Sequence, residues 1–469
     1  FLLWEVFLMN ALLSFVSAAF WGLVVLSILV FVHEGGHYLA ARACGMRATE
    51  FFLGMPCHIK LSRKSKKRGT EFGVTPLLLG GYTRICGMEG AEDELLAPCL
   101  ALVQERGRVS AADVATELGI DVERSRELLA TLCDWASIEP YYDPERGERE
   151  GQRDYPETFE TVRRDGQLLT EFDRGHDFTK PETTEAGSPR PIEGNADDFL
   201  KAERSRTFLG KGFLKRTVTL LAGPLVNILL SILIVTSGLC LVGTNVAKNT
   251  NIIGEVTEGG YADEAGVRPG DAIVAVDGRS VSDWKSLVAT LHEVLSEGRS
   301  FTLTVERDGR QIPLAVDIPE GATGAKLGIT AQTENVKLSL LESAGVALGY
   351  GKAVVQFALR LLMPQHTMEV LQGTSSVVGI SAMASEAASQ GAYPLILFLA
   401  FVSMSLGIMN LLPIPPLDGG KILIEVIQLV IRRPLSLRVQ TIMSYIGIAF
   451  FVFIFVFALR NDIVNIVMG

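Results

Sequence analysis

Charge is scarce in this chain. Asp, Glu, Lys and Arg make up only 20% of its 469 residues, where a soluble protein carries about a quarter, while 48% are hydrophobic and mean hydropathy is +0.30. The formal balance is −10. With no basic excess to neutralise phosphates, no nucleic-acid partner is expected. Cysteine is scarce too. The six fall at 44, 57, 86, 99, 133 and 240, none lies within 244–392, and no two form a C-x-x-C pair. That argues against a structural disulfide in that segment and leaves a cysteine zinc site without support.

What the chain does have is long apolar runs. Four of them, at about 11–32, 218–243, 393–413 and 442–460, reach the ~20 residues that a helix needs to cross a bilayer. The first is N-terminal, so a signal peptide is its rival. It lacks a basic start and a small-residue cleavage site, and it runs on into a histidine motif, so a retained span is expected. Basic clusters at 60–68, 210–216 and 431–438 lie in the first and third connections, which should therefore be cytoplasmic, with 244–392 and the N-terminus outside. The expected fold class is a polytopic α-helical membrane protein with about four transmembrane helices.

Between the spans the pattern changes. Residues 47–90 carry short β-rich runs (EFFLG, CHIKL, TEFGVTP, GGYTRI) punctuated by glycines, and predict a membrane-associated β-hairpin region. Residues 91–206 form a cytoplasmic insert. Its first part, 92–137, has two helical periods resembling a helix-turn-helix or winged-helix core, and the remainder, from 141, reads as a polar linker. Acidic residues outnumber basic ones there, so a docking module for an unknown cytoplasmic partner is preferred to DNA binding. The second span occupies 207–243. Residues 244–335 alternate strands and turns around one helical stretch, a compact α+β domain. Within 336–392 an amphipathic stretch, 337–362, is interrupted by Glu342 and Lys352, and is expected on the membrane surface rather than as a fifth span. The third span falls in 393–420, and 421–469 holds a cytoplasmic amphipathic segment and the fourth span.

The chemistry lies where the first span should end. His33, Glu34 and His37 form H-E-x-x-H, continuing an apolar run. On a helix the two imidazoles share a face and can bind one zinc, with the glutamate beside them to act on a bound water. A solvated helix turn is the bland alternative, and it does not explain three polar side chains at the end of a membrane span. Gly35 and Gly36 suggest close backbone approach at that point. For a third ligand, His176, His292 and His366 are poorly placed and His58 belongs to an expected strand. Asp418, in MNLLPIPPLDGGKIL (409–423), is the stronger candidate. Three prolines stop the third span near its cytoplasmic end, at the depth of the histidines, although a helix-start cap or turn is an alternative role for that aspartate.

Here the chain resembles the site-2 protease family of intramembrane zinc metalloproteases, and more narrowly its regulator-of-sigma-E protease branch. The resemblance covers residues ~15–90 and ~205–469, and rests on HEGGH (33–37), GGYTRI (80–85), AGPLVNILL (222–230) and N-x-x-P-x-P-x-LDGG (410–420). It implies Zn2+ held by His33, His37 and Asp418, Glu34 as catalytic base, and Asn410 holding the substrate backbone or the developing oxyanion. It also implies that the strand Gly80, Gly81, Tyr82, Thr83 and Arg84 receives substrate as an added strand. The domain at 244–335 resembles a PDZ fold, through AGVRPGDAIVAVDGRSV (265–281), either taking a carboxyl terminus or filtering partners by size. Gly223, Pro224 and Asn227 read as scaffold. GTSSVVGI (373–380) and GMPC (54–57) depart from the family pattern. The implied substrates are single-span membrane proteins in the bilayer, such as a pre-cleaved anti-sigma factor or a remnant signal peptide. A zinc-binding transporter or sensor, and a non-catalytic PDZ scaffold, are the alternatives. Glu34, a base that a transport site does not require, weighs against the first, and an intact HEGGH and LDGG weigh against the second.

Overall fold

A computed structural model describes residues 2–57, 59–78, 80–88, 93–148, 156–319, 326–372, 374–433 and 435–468. The chain divides into two compact units, one formed by 1–234 with 347–469 and the other by 235–346. Among the described residues four helices are long and apolar enough to cross a membrane: Leu12–Ala43, Phe213–Leu241, Ala392–Asn410 and Arg438–Val464. These match the four runs seen in the sequence.

In the first unit, helix α1 (Leu2–Ala43) continues unbroken through the HEGGH motif. Strands β1 (Ala48–Leu53), β2 (Leu61–Lys64), β3 (Glu71–Val74) and β4 (Gly81–Ile85) follow. They form one mixed sheet of order β2-β3-β1-β4, with β1 and β3 parallel. The expected hairpin is thus only the β2–β3 part of a larger sheet. β4 pairs with β1 on one side and is an edge strand.

The insert comprises α2 (Leu96–Arg106), β5 (Arg108–Ser110), α3 (Ala111–Leu118), α4 (Val122–Asp134), β6 (Ile138–Tyr141), β7 (Thr158–Thr161) and α5 (Ala196–Arg204). Strand order β5-β7-β6 with that helix succession is a winged-helix arrangement. Ser110 and Asp121 cap α3 and α4, and Leu100, Val103, Leu129, Leu132 and Phe159 fill the core. The stretch expected to be a polar linker is instead folded onto this core. Its few aliphatics gave no signal, because its buried groups are charged. Arg47, at the entrance to β1, is fully buried among Asp173 (2.7 Å) and Glu203 (2.8 Å), and Arg164 reaches the same Glu203 at 2.9 Å. Burial alone would push both carboxyls up. The guanidinium groups around them outweigh it and hold Glu203 and Asp173 below the usual carboxylate range.

Helix α6 (Phe213–Leu241) follows and carries Pro224 in its interior. The second unit is α+β. It contains β8 (Thr244–Ala247), β9 (Ile253–Val256), α7 (Tyr261–Glu264), β10 (Ala272–Val276), β11 (Arg279–Ser280), α8 (Trp284–Ser296), β12 (Phe301–Arg307), β13 (Arg310–Val316), β14 (Ile329–Ala331) and β15 (Thr333–Val336). A sheet β11-β10-β12-β13 and the pair β9–β14 surround Ile273, Val276, Leu287, Leu303 and Val305, and β8 pairs with β15. Asp277 and Gly278 both have positive φ, as a two-residue hairpin turn with this hand of twist requires.

The chain then forms α9 (Leu340–Leu361), α10 (Pro364–Gln372), α11 (Val377–Ser389), α12 (Ala392–Asn410), α13 (Asp418–Ile431) and α14 (Leu437–Met468). Tyr350 of α9 donates to or accepts from Ser405 of α12 at 2.9 Å. The short apolar helix α11 was not foreseen within 336–392. It packs along α1, with Ser17 and Ser385 hydroxyls 2.7 Å apart and Val25, Leu29 and Ala384 in one cluster. Asp462 of α14 closes its N-terminus, accepting from the amides of Ser376 (2.7 Å) and Gly379 (3.1 Å).

Candidate metal centre

Three protein atoms converge in the last turns of α1. His33 and His37 lie on one face of the helix, their rings crossed at 81° with centroids 4.8 Å apart. Their Nε2 atoms are 3.2 Å from each other, and Asp418 Oδ2 lies 3.0 Å from the first and 3.1 Å from the second. All three side chains are buried, and among the described residues they are the one such group that could hold a metal ion. Donors about 2.0–2.2 Å from a tetrahedral zinc stand roughly 3.3 Å apart. The observed triangle is therefore about one ion wide.

The ring protons point the same way. His37 Nδ1 donates to the Thr219 carbonyl at 2.8 Å, so in the neutral ring Nε2 is a bare lone pair. That lone pair faces a carboxylate oxygen and a second imidazole, a contact of acceptors that a cation between them relieves. The donor set fits zinc, with two imidazoles and a carboxylate leaving one tetrahedral position open.

Local sequence explains how Asp418 arrives there. Pro413, Pro415 and Pro416 end α12 and turn the chain, and Asp418 opens α13 without capping it, since no side chain caps that helix. Its carboxylate turns to the histidines instead. Gly419 and Gly420 let the turn fold back on the new helix. A Cβ at Gly419 would meet the Leu411 carbonyl, and one at Gly420 the backbone of Ile414 and Pro415.

Helix α6 braces the group from behind. A Cβ on Gly36 would lie 2.5 Å from the Ala222 carbonyl, and one on Gly223 would enter the His37 ring, so both glycines are required for the approach of α1 and α6. Gly35 faces open space and serves no such contact. Besides Thr219, α6 supplies Asn227, whose fully buried amide lies 3.5 Å from His33 Nδ1. It also supplies Arg216, 3.0 Å from Glu425 two turns along α13 from Asp418. In the sequence Asn227 reads as scaffold, and Thr219 and Glu425 carry no signal, because a backbone carbonyl and a cross-helix pair leave no motif.

Glu34 is half-buried, next to the triad in the chain and on the side of β4. Its Cγ lies 3.6 Å from where a Gly81 Cβ would stand, and its carbonyl accepts from the Thr83 hydroxyl at 3.1 Å. Tyr82 and Arg84 alternate to the opposite face. There the Tyr82 hydroxyl donates to Glu50 at 2.8 Å and its ring stacks on Phe52, while Arg84 reaches Glu50 at 3.4 Å. Burial and the Glu50 carboxylate push the Tyr82 phenol up, so it remains the donor. The Gly80 carbonyl accepts from the Gly54 amide at 2.7 Å. Asn410 is the last residue of α12, half-buried, just ahead of the proline turn. Of the other histidines, His176 bonds the Asp173 carbonyl, His292 lies on α8, His366 pairs with Glu369, and His58 lies outside the described residues.

Known proteins resemble this chain along nearly its whole length. The profile of peptidase family M50 matches residues 21–454. The zinc metalloprotease RasP of Geobacillus kaustophilus is 28% identical over 94% of this chain and 96% of its own length. The regulator of sigma-W protease RasP of Bacillus subtilis is 27% identical over 96% of this chain and 99% of its own.

Proposed function

The chain belongs to peptidase family M50 and is a zinc metalloendopeptidase of the membrane, and from that premise we propose that it cuts peptide bonds within the transmembrane segments of single-span proteins. The observation that carries this reading is the buried triangle of His33, His37 and Asp418, whose two histidines lie on a helix long and apolar enough to span a bilayer. Bound zinc supplies a polarised carbonyl and a water whose pKa falls toward about 7.

The chain's own residues do the rest. His33, His37 and Asp418 are the ligands, oriented by α6. Glu34 takes the proton of the attacking water and hands it to the departing amine. Asn410, at the end of α12, steadies the substrate carbonyl. A transmembrane helix hides its peptide bonds in internal hydrogen bonds, and unwinding it in lipid leaves N–H and C=O groups without partners. The edge strand β4, with Gly80 just ahead of it and Arg84 near its end, offers those partners through strand addition, and its Gly81 and Thr83 adjoin Glu34.

The basic connections favour an active site toward the cytoplasm of a multi-pass plasma-membrane protein, with residues 244–335 outside. Those residues act as a PDZ-type domain that selects partners already shortened by another protease. An anti-sigma factor is the substrate class that the name of the Bacillus relative favours.

The test is cleavage of a single-span reporter with no bulky outer domain, by the purified chain in reconstituted membranes. Glu34→Gln should keep its zinc and lose about 10²–10⁴ in rate. Cleavage confined to the reporter's soluble flanks, or an equal rate in the variant, would sink the proposal.

A further inference from the structure

The face of α1 opposite the metal group lines a second feature. Gly35 is about 200° around the helix from both His33 and His37, and a Cβ there would meet nothing within 4 Å. It opens into a cavity of about 760 Å³ between α1 and the β2–β3–β1 face of the sheet, walled by Phe31, Leu39, Phe51 and Phe72. That volume is in the range of small-molecule sites, about 300–1,000 Å³. Its rim continues into exposed apolar surface, with Phe31 and Leu39 on α1 and Leu61 and Val74 on the hairpin all exposed. The lining residues of α1 lie about 6–18 Å from the helix end at Ala43 at 1.5 Å per residue, which matches the ~15 Å hydrocarbon depth of one leaflet.

Two guanidinium groups, Arg63 and Arg68, complete the lining. Both are exposed, and among the described residues neither has a carboxylate partner. The acids nearby are already engaged. Glu71 takes Lys60 at 2.9 Å and the Ser62 hydroxyl, and Glu171 takes Lys64. An apolar slot of leaflet depth with two unpaired cations at its polar end is complementary to one kind of molecule. We propose that this cavity is a binding site for an anionic phospholipid, its acyl chain against Phe31 and Phe51 and its phosphate on Arg63 and Arg68. A zwitterionic lipid would bring its ammonium group toward the same two cations. The site is separate from the metal group, being on the other side of α1, and would tie the β2–β3 hairpin to the leaflet.

The test is native mass spectrometry of the whole purified chain with phosphatidylglycerol or phosphatidylethanolamine at equal concentration. One phosphatidylglycerol should be retained where phosphatidylethanolamine is lost. The double variant Arg63→Gln with Arg68→Gln should weaken retention about 30-fold, as expected for two basic residues at a lipid surface. Leu39→Trp, which fills the cavity, should weaken it as well. Lys66→Gln with Lys67→Gln, equally basic neighbours outside the cavity, should leave it unchanged, and unaltered zinc content reports an intact fold in each case. Equal retention of the two lipids, no effect of Leu39→Trp, or an equal loss in the lysine variant would each overturn the proposal, the last by showing a diffuse surface attraction in place of a site.

Discussion

At the scale of single residues, the metal group depends on neighbours that carry no chemistry of their own. His37 is fixed by a backbone carbonyl, which no side-chain substitution removes, but His33 depends on the Asn227 amide. Outer partners of ligating histidines are typically worth 10–100-fold in metal affinity. Asn227→Leu should therefore lower zinc affinity by about that factor in a chelator competition, while Asn227→Gln should recover part of it if its amide reaches the ring. An unchanged affinity in Asn227→Leu would return this residue to a purely packing role. HEGGH and LDGG were legible because neither packing nor solvation accounts for a base and ligands at helical spacing in an apolar run. Asn227 was not, because an asparagine on a membrane helix reads equally well as a bond to any neighbouring helix. Only the crossing of α1 and α6, at Gly36 and Gly223, reveals which neighbour it meets.

At the scale of elements, the insert and α11 were the parts least legible. Charge, proline and glycine in 141–206 resemble a linker, yet its Arg164, Asp173 and Glu203 are buried together with Arg47. Breaking such a group by removing one partner costs about 3–5 kcal/mol. Arg47→Met should loosen the insert by that order, seen as earlier proteolysis within 93–206 with zinc still bound. The pH dependence follows from the same contacts. Carboxyls held low in the folded state stabilise it fully above their unfolded range, near pH 4, and lose that contribution as pH falls through the folded values. Fluorescence of the buried Trp135, in a variant lacking the other tryptophans, should stay flat from pH 7 to about 5 and change only below about 4. A transition near pH 6 would mean that histidine, not these acids, governs docking. The helix α11 was missed for another reason. At 13 residues it is too short to announce a span, and its anchor, Asp462, lies far away in the chain on α14.

At the scale of the whole molecule, the two large additions to the membrane helices are attached in different ways, and excision should separate them. The unit formed by 235–346 has its own core. Its chain enters along β8 and leaves along β15, strands paired so directly that Thr244 stands opposite Val336. A domain whose ends lie side by side can be replaced by a short loop. None of His33, His37 and Asp418 belongs to it, so joining Thr244 to Val336 through a brief Gly-Ser turn should leave one zinc per chain and the membrane helices intact. The insert also has its own core, but it shares the buried Arg47 group with the start of β1, and the chain that leaves it packs Phe208 against Ala41, Met46 and Leu220, at the end of α1 and the start of α6. Removing 93–206 strips Asp173 and Glu203 from a buried guanidinium beside the helix that carries both histidines. Its cost should appear as a lower unfolding temperature and weaker zinc retention, whereas the first excision changes neither. Zinc content and thermal unfolding of the two deletions, measured side by side, decide this. If the insert can be removed without effect while loss of 245–335 empties the metal site, this division of the molecule is wrong.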